Sequence, residues 1–163
     1  KSANLEAANL ENSNLKECNF QNAFIQETNF SNCSMQHTRF FNAKGERINF
    51  ENADLSYANL IGAILIHSNL QNVELNFTKV RNTDFSNSIL VDAKNIETCS
   101  NLSYADFNRT IVCSENHSKI KKHHTQKTIF VVKDWDLLPL IHILKSIPQM
   151  PKYKVLGRLA HVG

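Results

Sequence analysis

An all-β solenoid is the fold class this sequence predicts, and three observations carry the expectation. Every fifth residue from Leu5 to Leu90 is large and apolar, with the single exception of Gly45. Two places before each of these centres stands Ala, Ser, Thr or Cys in 16 of the 18 repeats. No insertion or deletion breaks the phase across those 18 repeats, which chance does not sustain.

Neither a helix, which repeats at about 3.6 residues, nor a strand, at about 2, explains a period of five. A short extended segment puts a residue and its second neighbour on one side, so the small and the large residue both point inward. The remaining three positions face water or turn a corner. A constant phase then means the chain bends the same way after every segment, closes into a coil and stacks on itself at about 4.8 Å per turn.

The expected core ladder is Leu5, Leu10, Leu15, Phe20, Ile25, Phe30, Met35, Phe40, Phe50, Leu55, Leu60, Leu65, Leu70, Leu75, Val80, Phe85 and Leu90. Burying these at about 1.5–3 kcal/mol each gives a gross term of tens of kcal/mol, mostly offset by chain entropy. Gly45 leaves one centre empty, and the next small site holds the oversized Ile48. We read the two as one compensated change, Ile48 filling the hole above Ile25 and below Leu65; the alternative is a bulge at Lys44–Arg47. After Leu90 the phase slips by two residues between Ala93 and Cys99, which reads as a loop leaving one corner. It resumes at Leu102, Phe107 and Val112.

The predicted organisation is residues 1–113 as the coil, 114–128 as a basic polar linker, and 129–163 as a strand plus a helical C-terminal cap. Lys119, Lys121, Lys122, His123, His124 and Lys127 give the linker its charge. Thr128–Val132 reads as a strand, a candidate last rung of the coil. Asp134 or Asp136 suits a helix N-cap, with Pro139 in the first turn and Pro148 and Pro151 as stops. Trp135, Leu137, Leu138, Leu140, Ile141, Ile143 and Leu144 make this helix apolar on nearly every side, so it is expected to cover the coil end or to pair with a second copy. Residues 153–163 fit either a short helix or a docking strand.

The phrase small, Asn/Asp, Leu/Phe and two variable residues, as in Ala3-Asn4-Leu5 and Ala53-Asp54-Leu55, resembles the pentapeptide-repeat family over roughly residues 3–112. Asn or Asp precedes the centre in ten of the 18 repeats. The resemblance implies a right-handed quadrilateral β-helix with four repeats to a coil, so that residues twenty apart stack. It also implies a further function, since some members imitate duplex DNA and bind type II topoisomerases.

Composition narrows the function. The net charge of +3 divides unevenly: residues 1–113 carry nine Lys/Arg and twelve Asp/Glu (9 − 12 = −3), and residues 114–163 carry nine and three (9 − 3 = +6). Acidic columns of the kind a DNA mimic needs are broken, with Glu6 continuing as Gln26, Glu46, Ile66 and Ser86, and Glu11 as Ser31, Glu51, Gln71 and Val91. The topoisomerase reading is therefore the alternative, not the first choice. Nucleic-acid binding through the Lys-rich linker is disfavoured because no aromatic residues interleave it. No catalytic, metal or phosphate motif appears, so the expectation is no enzyme, no cofactor and no small-molecule substrate. Cys18, Cys33, Cys99 and Cys113 match no metal spacing and read as small filler. Unpaired thiols favour a reducing compartment, hence a cytoplasmic location, or delivery to a host cell if the chain is an effector. Enrichment in Asn, Ile and Lys hints at an AT-rich bacterial genome. No apolar run reaches the 18 residues of a membrane-spanning helix. Because the first residues are already in phase, a fragment of a longer protein or an oligomer is also expected.

Function is expected where outward positions are apolar. Folded at twenty residues per coil, Phe41 lies under Ile61, Phe24 and Ile64 share a column, Ile66 adjoins Ile64, and Tyr57 lies beneath Phe77. Such a patch marks a contact surface. The expected role is a rigid, non-enzymatic scaffold that binds a partner protein or a second copy, the alternative being that the C-terminal helix folds back over the patch.

Overall fold

A computed structural model describes residues 2–122 and the strand 129–132. The chain runs as short extended segments, each closed by a turn whose N–H returns to the carbonyl three residues back, as Ala8 N to Leu5 O at 2.9 Å and Ala23 N to Phe20 O at 3.0 Å. Four segments make one coil, because parallel bridges join residues twenty apart: Asn4 to Phe24, Phe24 to Lys44, Asn29 to Asn49, Asp54 to Glu74. Where pairing is most continuous it forms strands: β1 (Lys44–Glu46), β2 (Ile64–Ile66), β3 (Ile89–Leu90) and β4 (Thr110–Cys113). A fifth strand, β5 (Ile129–Val132), lies parallel to β4 and adds a further rung, giving the sheet order β3-β4-β5.

Each position of the five-residue phrase has its own physical reason. The centres are inside: Leu5, Leu10 and Leu15 are partly buried against the core, and Phe20 through Leu90 are buried. Their rings stack from coil to coil, Phe30 on Phe50 with centroids 5.3 Å apart and Phe85 on Phe107 at the same distance. The small position is often a hydroxyl because it donates to the carbonyl of a centre one coil below: Thr28 Oγ1 to Leu5 O, Thr78 Oγ1 to Leu55 O and Thr83 Oγ1 to Leu60 O, each 2.8 Å. The Asn or Asp before the centre accepts from the backbone two residues on, Asn4 from Glu6 N at 3.1 Å and Asp84 from Ser86 N at 2.9 Å, which shapes the turn. The third residue of each turn has positive φ, from Ala7 (54°) to Asp92 (56°). Asn fills that place in eight of the 18 turns, since its short amide tolerates the left-handed region. Along one face the amides of Asn29, Asn49 and Asn69 donate in series to Asn9, Asn29 and Asn49 at 3.1–3.2 Å.

Lys44–Glu46 pairs in register with Ile64–Ile66, with Gly45 opposite Leu65, so the bulge alternative is excluded. The slip after Leu90 is not one loop. The pairing interval widens from 20 (Glu74 to Lys94) to 21 (Lys79 to Ser100) and then to 22 (Asp84 to Asp106). Two successive corners each absorb one extra residue by tightening into a 3-10 turn, Ile96–Thr98 and Leu102–Tyr104. A single extra residue costs less at a turn than inside a paired segment.

The linker expected at 114–128 begins as structure. Ser114–Lys121 is a helix, α1, packed on the 3-10 turn at Ile96–Thr98 and on β4. Its polar sequence hides two anchors: Ile120 is fully buried, and the buried Asn116 amide donates to Ala93 O at 2.7 Å. Lys119 adds ion pairs to Glu97 (3.0 Å) and Glu115 (2.7 Å). The helix expected at Trp135–Leu144 lies outside the described residues.

Candidate protein-interaction face

The outward apolar residues fall into one band. In chain order around the coil, a corner carries Glu17, His37, Tyr57 and Phe77; the next face carries Asn19, Arg39, Asn59 and Lys79 in one column and Gln21, Phe41, Ile61 and Arg81 in the other. A corner of Asn22, Asn42, Gly62 and Asn82 follows, and beyond it the face with Phe24, Lys44 and Ile64, beside Gln26, Glu46 and Ile66. The Tyr57–Phe77 column and the Phe24–Ile64 column therefore flank the face that carries Phe41 and Ile61.

Tyr57 and Phe77 are about half exposed, with ring centroids 5.3 Å apart. His37 extends the ladder downward, stacked 5.0 Å from Tyr57 with planes 11° apart. Phe41, Ile61 and Ile66 are half-buried, whereas Phe24 and Ile64 are exposed. The last two line a groove of about 380 Å³ with Asn42, Lys44 and Gly62. At Gly62 the corner needs φ +68°, and a Cβ there would collide with Asn42 Oδ1. Glycine keeps the floor of the groove low.

Two features of this face were missed by periodicity alone. One is Tyr104, the most exposed large apolar residue among those described, whose ring lies 5.5 Å from the Arg81 guanidinium. It enters through the inserted turn, out of phase with the fives. The other is charge. Arg39, Lys79 and Arg81 are exposed and form no ion pair among the described residues, and their two columns contain no carboxylate. Across the aromatic corner the neighbouring face carries Asp54 and Glu74 at the middle coils, with Lys94 above and Lys16 below. Among the described residues only Arg47 and Lys119 form ion pairs: Arg47 holds Glu27 at 2.7 Å and Glu46 at 2.9 Å, and its hydrogen bond to Glu27 raises its pKa further. A second hollow, of about 410 Å³ beside α1, is lined by the Lys119, Glu97 and Glu115 network and is satisfied from within.

Among the described residues no group of three or more His, Cys, Asp or Glu is placed to hold a metal ion. No helix among them is long and apolar enough to cross a membrane. The four cysteines are free thiols; burial pushes Cys99 up to about 12 and raises Cys33 as well.

The family model for pentapeptide repeats matches in eight copies, over residues 1–36 and 48–87. Its gap brackets Gly45, the repeat with the empty centre. Among solved structures, HetL, a pentapeptide repeat protein involved in heterocyst differentiation regulation from the cyanobacterium Nostoc sp. Strain PCC 7120, is 25% identical over 69% of this chain and 54% of its own, with a TM-score of 0.35. The chain thus spans about half of HetL. QnrB1, a plasmid-mediated fluoroquinolone resistance protein (the trypsin-treated R167E form), is 16% identical over 91% of this chain and 85% of its own, with a TM-score of 0.45. Rfr23 from the cyanobacterium Cyanothece 51142 is 21% identical over 82% of this chain and 91% of its own, with a TM-score of 0.33. Among curated proteins nothing matches.

Proposed function

The repeat region of this chain belongs to the pentapeptide-repeat family, right-handed β-helix solenoids, and on that premise we propose that it is a rigid scaffold binding a partner protein through the band described above. The observation that carries the reading is the His37–Tyr57–Phe77 ladder. These rings occupy turn positions with φ of 59°, 60° and 53°, where a bulky L-residue costs about 1–2 kcal/mol relative to its relaxed backbone. Asn, the residue used most often at such turns, avoids most of that cost. Exposed aromatic rings held at such turn positions, at a cost that Asn would avoid, are suited to serve as contact anchors for a partner.

The test is affinity capture from the native lysate with the wild-type chain, a Tyr57→Asn/Phe77→Asn variant and a Phe41→Ser/Ile61→Ser variant. Specific proteins retained by the wild type should be lost from both variants while the circular dichroism of the coil is unchanged. Identical captures by all three would remove the proposal.

Duplex-DNA mimicry, which the family resemblance implies for some of its members, has less behind it. It needs a continuous acidic column, and the bridges that stack Glu74 on Lys94 and Lys44 on Ile64 interrupt the ones available. A gyrase supercoiling assay with added protein tests it directly. Coverage of the coil end, or pairing of two copies, by Trp135–Leu144 belongs to the same proposal. Deleting residues 133–163 should then lower the thermal midpoint or dissociate a dimer.

A further inference from the structure

We infer that the face between the His37–Tyr57–Phe77 ladder and the Asn42–Gly62 corner binds an acidic amphipathic α-helix of a partner protein, laid along the coil axis. The inference rests on the protein-binding reading above and names the class of partner.

Charge selects the sign. The coil region as a whole is net acidic, yet this face presents Arg39, Lys79 and Arg81 with no carboxylate in either column and no ion pair among the described residues. Three exposed cations with no carboxylate partner among the described residues, around half-buried Phe41 and Ile61, complement a segment that alternates carboxylates with apolar side chains. At the middle coils the face across the corner presents Asp54 and Glu74, whose carboxylates disfavour a sideways shift of such a segment at that level, although Lys94 lies above them.

Spacing selects the element. Arg39 and Lys79 stand in one column two coils apart, about 10 Å at the usual strand separation. Carboxylates at i and i+7 of a helix are about 10.5 Å apart, whereas an extended strand places same-face residues at about 6.6 and 13 Å. A helix also advances about 5.4 Å per turn, close to one coil, so each of its turns can meet Phe41, Ile61 or the aromatic corner in sequence. Single-stranded nucleic acid, the other polyanion with use for aromatic rings, fits less well. The faces of His37, Tyr57 and Phe77 already stack on one another, leaving mainly edges for a ligand.

The probe is a fluorescein-labelled peptide of about 21 residues, three heptads of helix, with Glu at i and i+7 and Leu or Tyr between, titrated by anisotropy into the full chain. Saturable binding, weakened about tenfold by Arg39→Glu/Lys79→Glu and reduced by added salt, is the expected result. The Arg39→Gln/Lys79→Gln pair, at exposed positions that leave the coil intact, should weaken it by an intermediate factor. Equal binding of a peptide with Lys for Glu, or no effect of charge reversal, would overturn the inference. So would equal binding of a proline-broken peptide of the same composition, tighter binding of an oligothymidylate, or a concentration-dependent dimer that occupies the face. If the acidic peptide fails while Tyr57→Asn/Phe77→Asn still loses captured partners, the partner class is wrong and the scaffold reading survives. If the captures are also unchanged, both fall.

Discussion

Ile48 occupies the space that a side chain on Gly45 would need. A Cβ built on Gly45 would stand 2.6 Å from Ile48 Cδ1 and 2.8 Å from Ile25 Cγ1, closer than real carbon atoms approach. The missing centre and the oversized small residue are thus one packing unit inside an otherwise uniform core. Gly45→Leu should cost about 1–3 kcal/mol by overpacking, and Ile48→Ala about 2–5 kcal/mol by opening a cavity. The double variant, which restores the ordinary phrase, should be more stable than the sum of the two losses by at least about 1 kcal/mol. Urea denaturation of the four proteins measures the coupling, and additive losses would show that the two sites are independent.

Asn49 predicts a different kind of loss. Its amide donates to Asn29 Oδ1 at 3.1 Å, and its own Oδ1 accepts from Asn69 Nδ2 at 3.2 Å and from Glu51 N at 3.1 Å. Removing a buried link strands partners on both sides, so Asn49→Ala should cost about 1–3 kcal/mol. Asn9, at the exposed end of the same column, accepts from Asn29 and from Glu11 N, and water can replace both. Asn9→Ala should cost less than half as much in the same denaturation assay.

The ladder and the Gly45–Ile48 exchange were legible because a period of five leaves inward positions no freedom. The corners were harder to read. Asn recurs at the third turn residue as plainly as before the centre, but its reason is a left-handed φ that a hydrophobic pattern does not express. The helix at Ser114–Lys121 was hidden because only Ile120 gives it an apolar side, and its hold depends on Asn116 reaching a carbonyl 23 residues away. The basic face was hidden for the same reason: Arg39, Lys79 and Arg81 are scattered along the chain and meet only once the coils are stacked. Tyr104 entered through an insertion that broke the phase.

The cysteines should separate by burial. Desolvation pushes Cys99 up to about 12, followed by the nearby charges of Glu97 and Glu74, so at pH 8 only about one molecule in ten thousand carries a thiolate there. Burial raises Cys33 too, although its hydrogen bond from the Ser13 backbone opposes the shift. Cys18 and Cys113 are only half-buried. In the native protein an aromatic disulfide reagent at pH 8 should therefore modify Cys18 and Cys113 first, and Cys99 only after urea unfolds the coil. Mass mapping of the modified thiols checks the order, and early labelling of Cys99 would contradict it.

Acid should loosen α1 before the coil. The Glu97 carboxyl is held below its ordinary value by its own backbone N–H, against some desolvation, and then by the Lys119 ammonium. Because the folded pKa is the lower one, this contribution is fully present above the unfolded carboxylate value of about 4.3 and is lost as pH falls through the folded value. Lys119, raised by its bond to Glu115, stays charged throughout that range. Amide resonances of Glu115–Lys121 should shift between about pH 5 and about pH 3, around the carboxylate titration. A Lys119→Met variant should show a weaker transition near Glu97, and an identical one would remove Lys119 from the account.

Replacing the aromatic corner tests structure and function together. Tyr57→Asn/Phe77→Asn gives up the Tyr57 contacts with His37 and Phe77, worth about 0.5–1.5 kcal/mol for each pair. It also relieves two bulky residues from positive φ, worth about 1–2 kcal/mol each with L-side chains that disfavour it. The terms nearly cancel, so the thermal midpoint should move by no more than about 5 °C in either direction. Partner capture should be lost all the same. A large fall in the midpoint would assign these rings to the stability of the coil instead, because stacking along the corner would then outweigh the strain of holding them there.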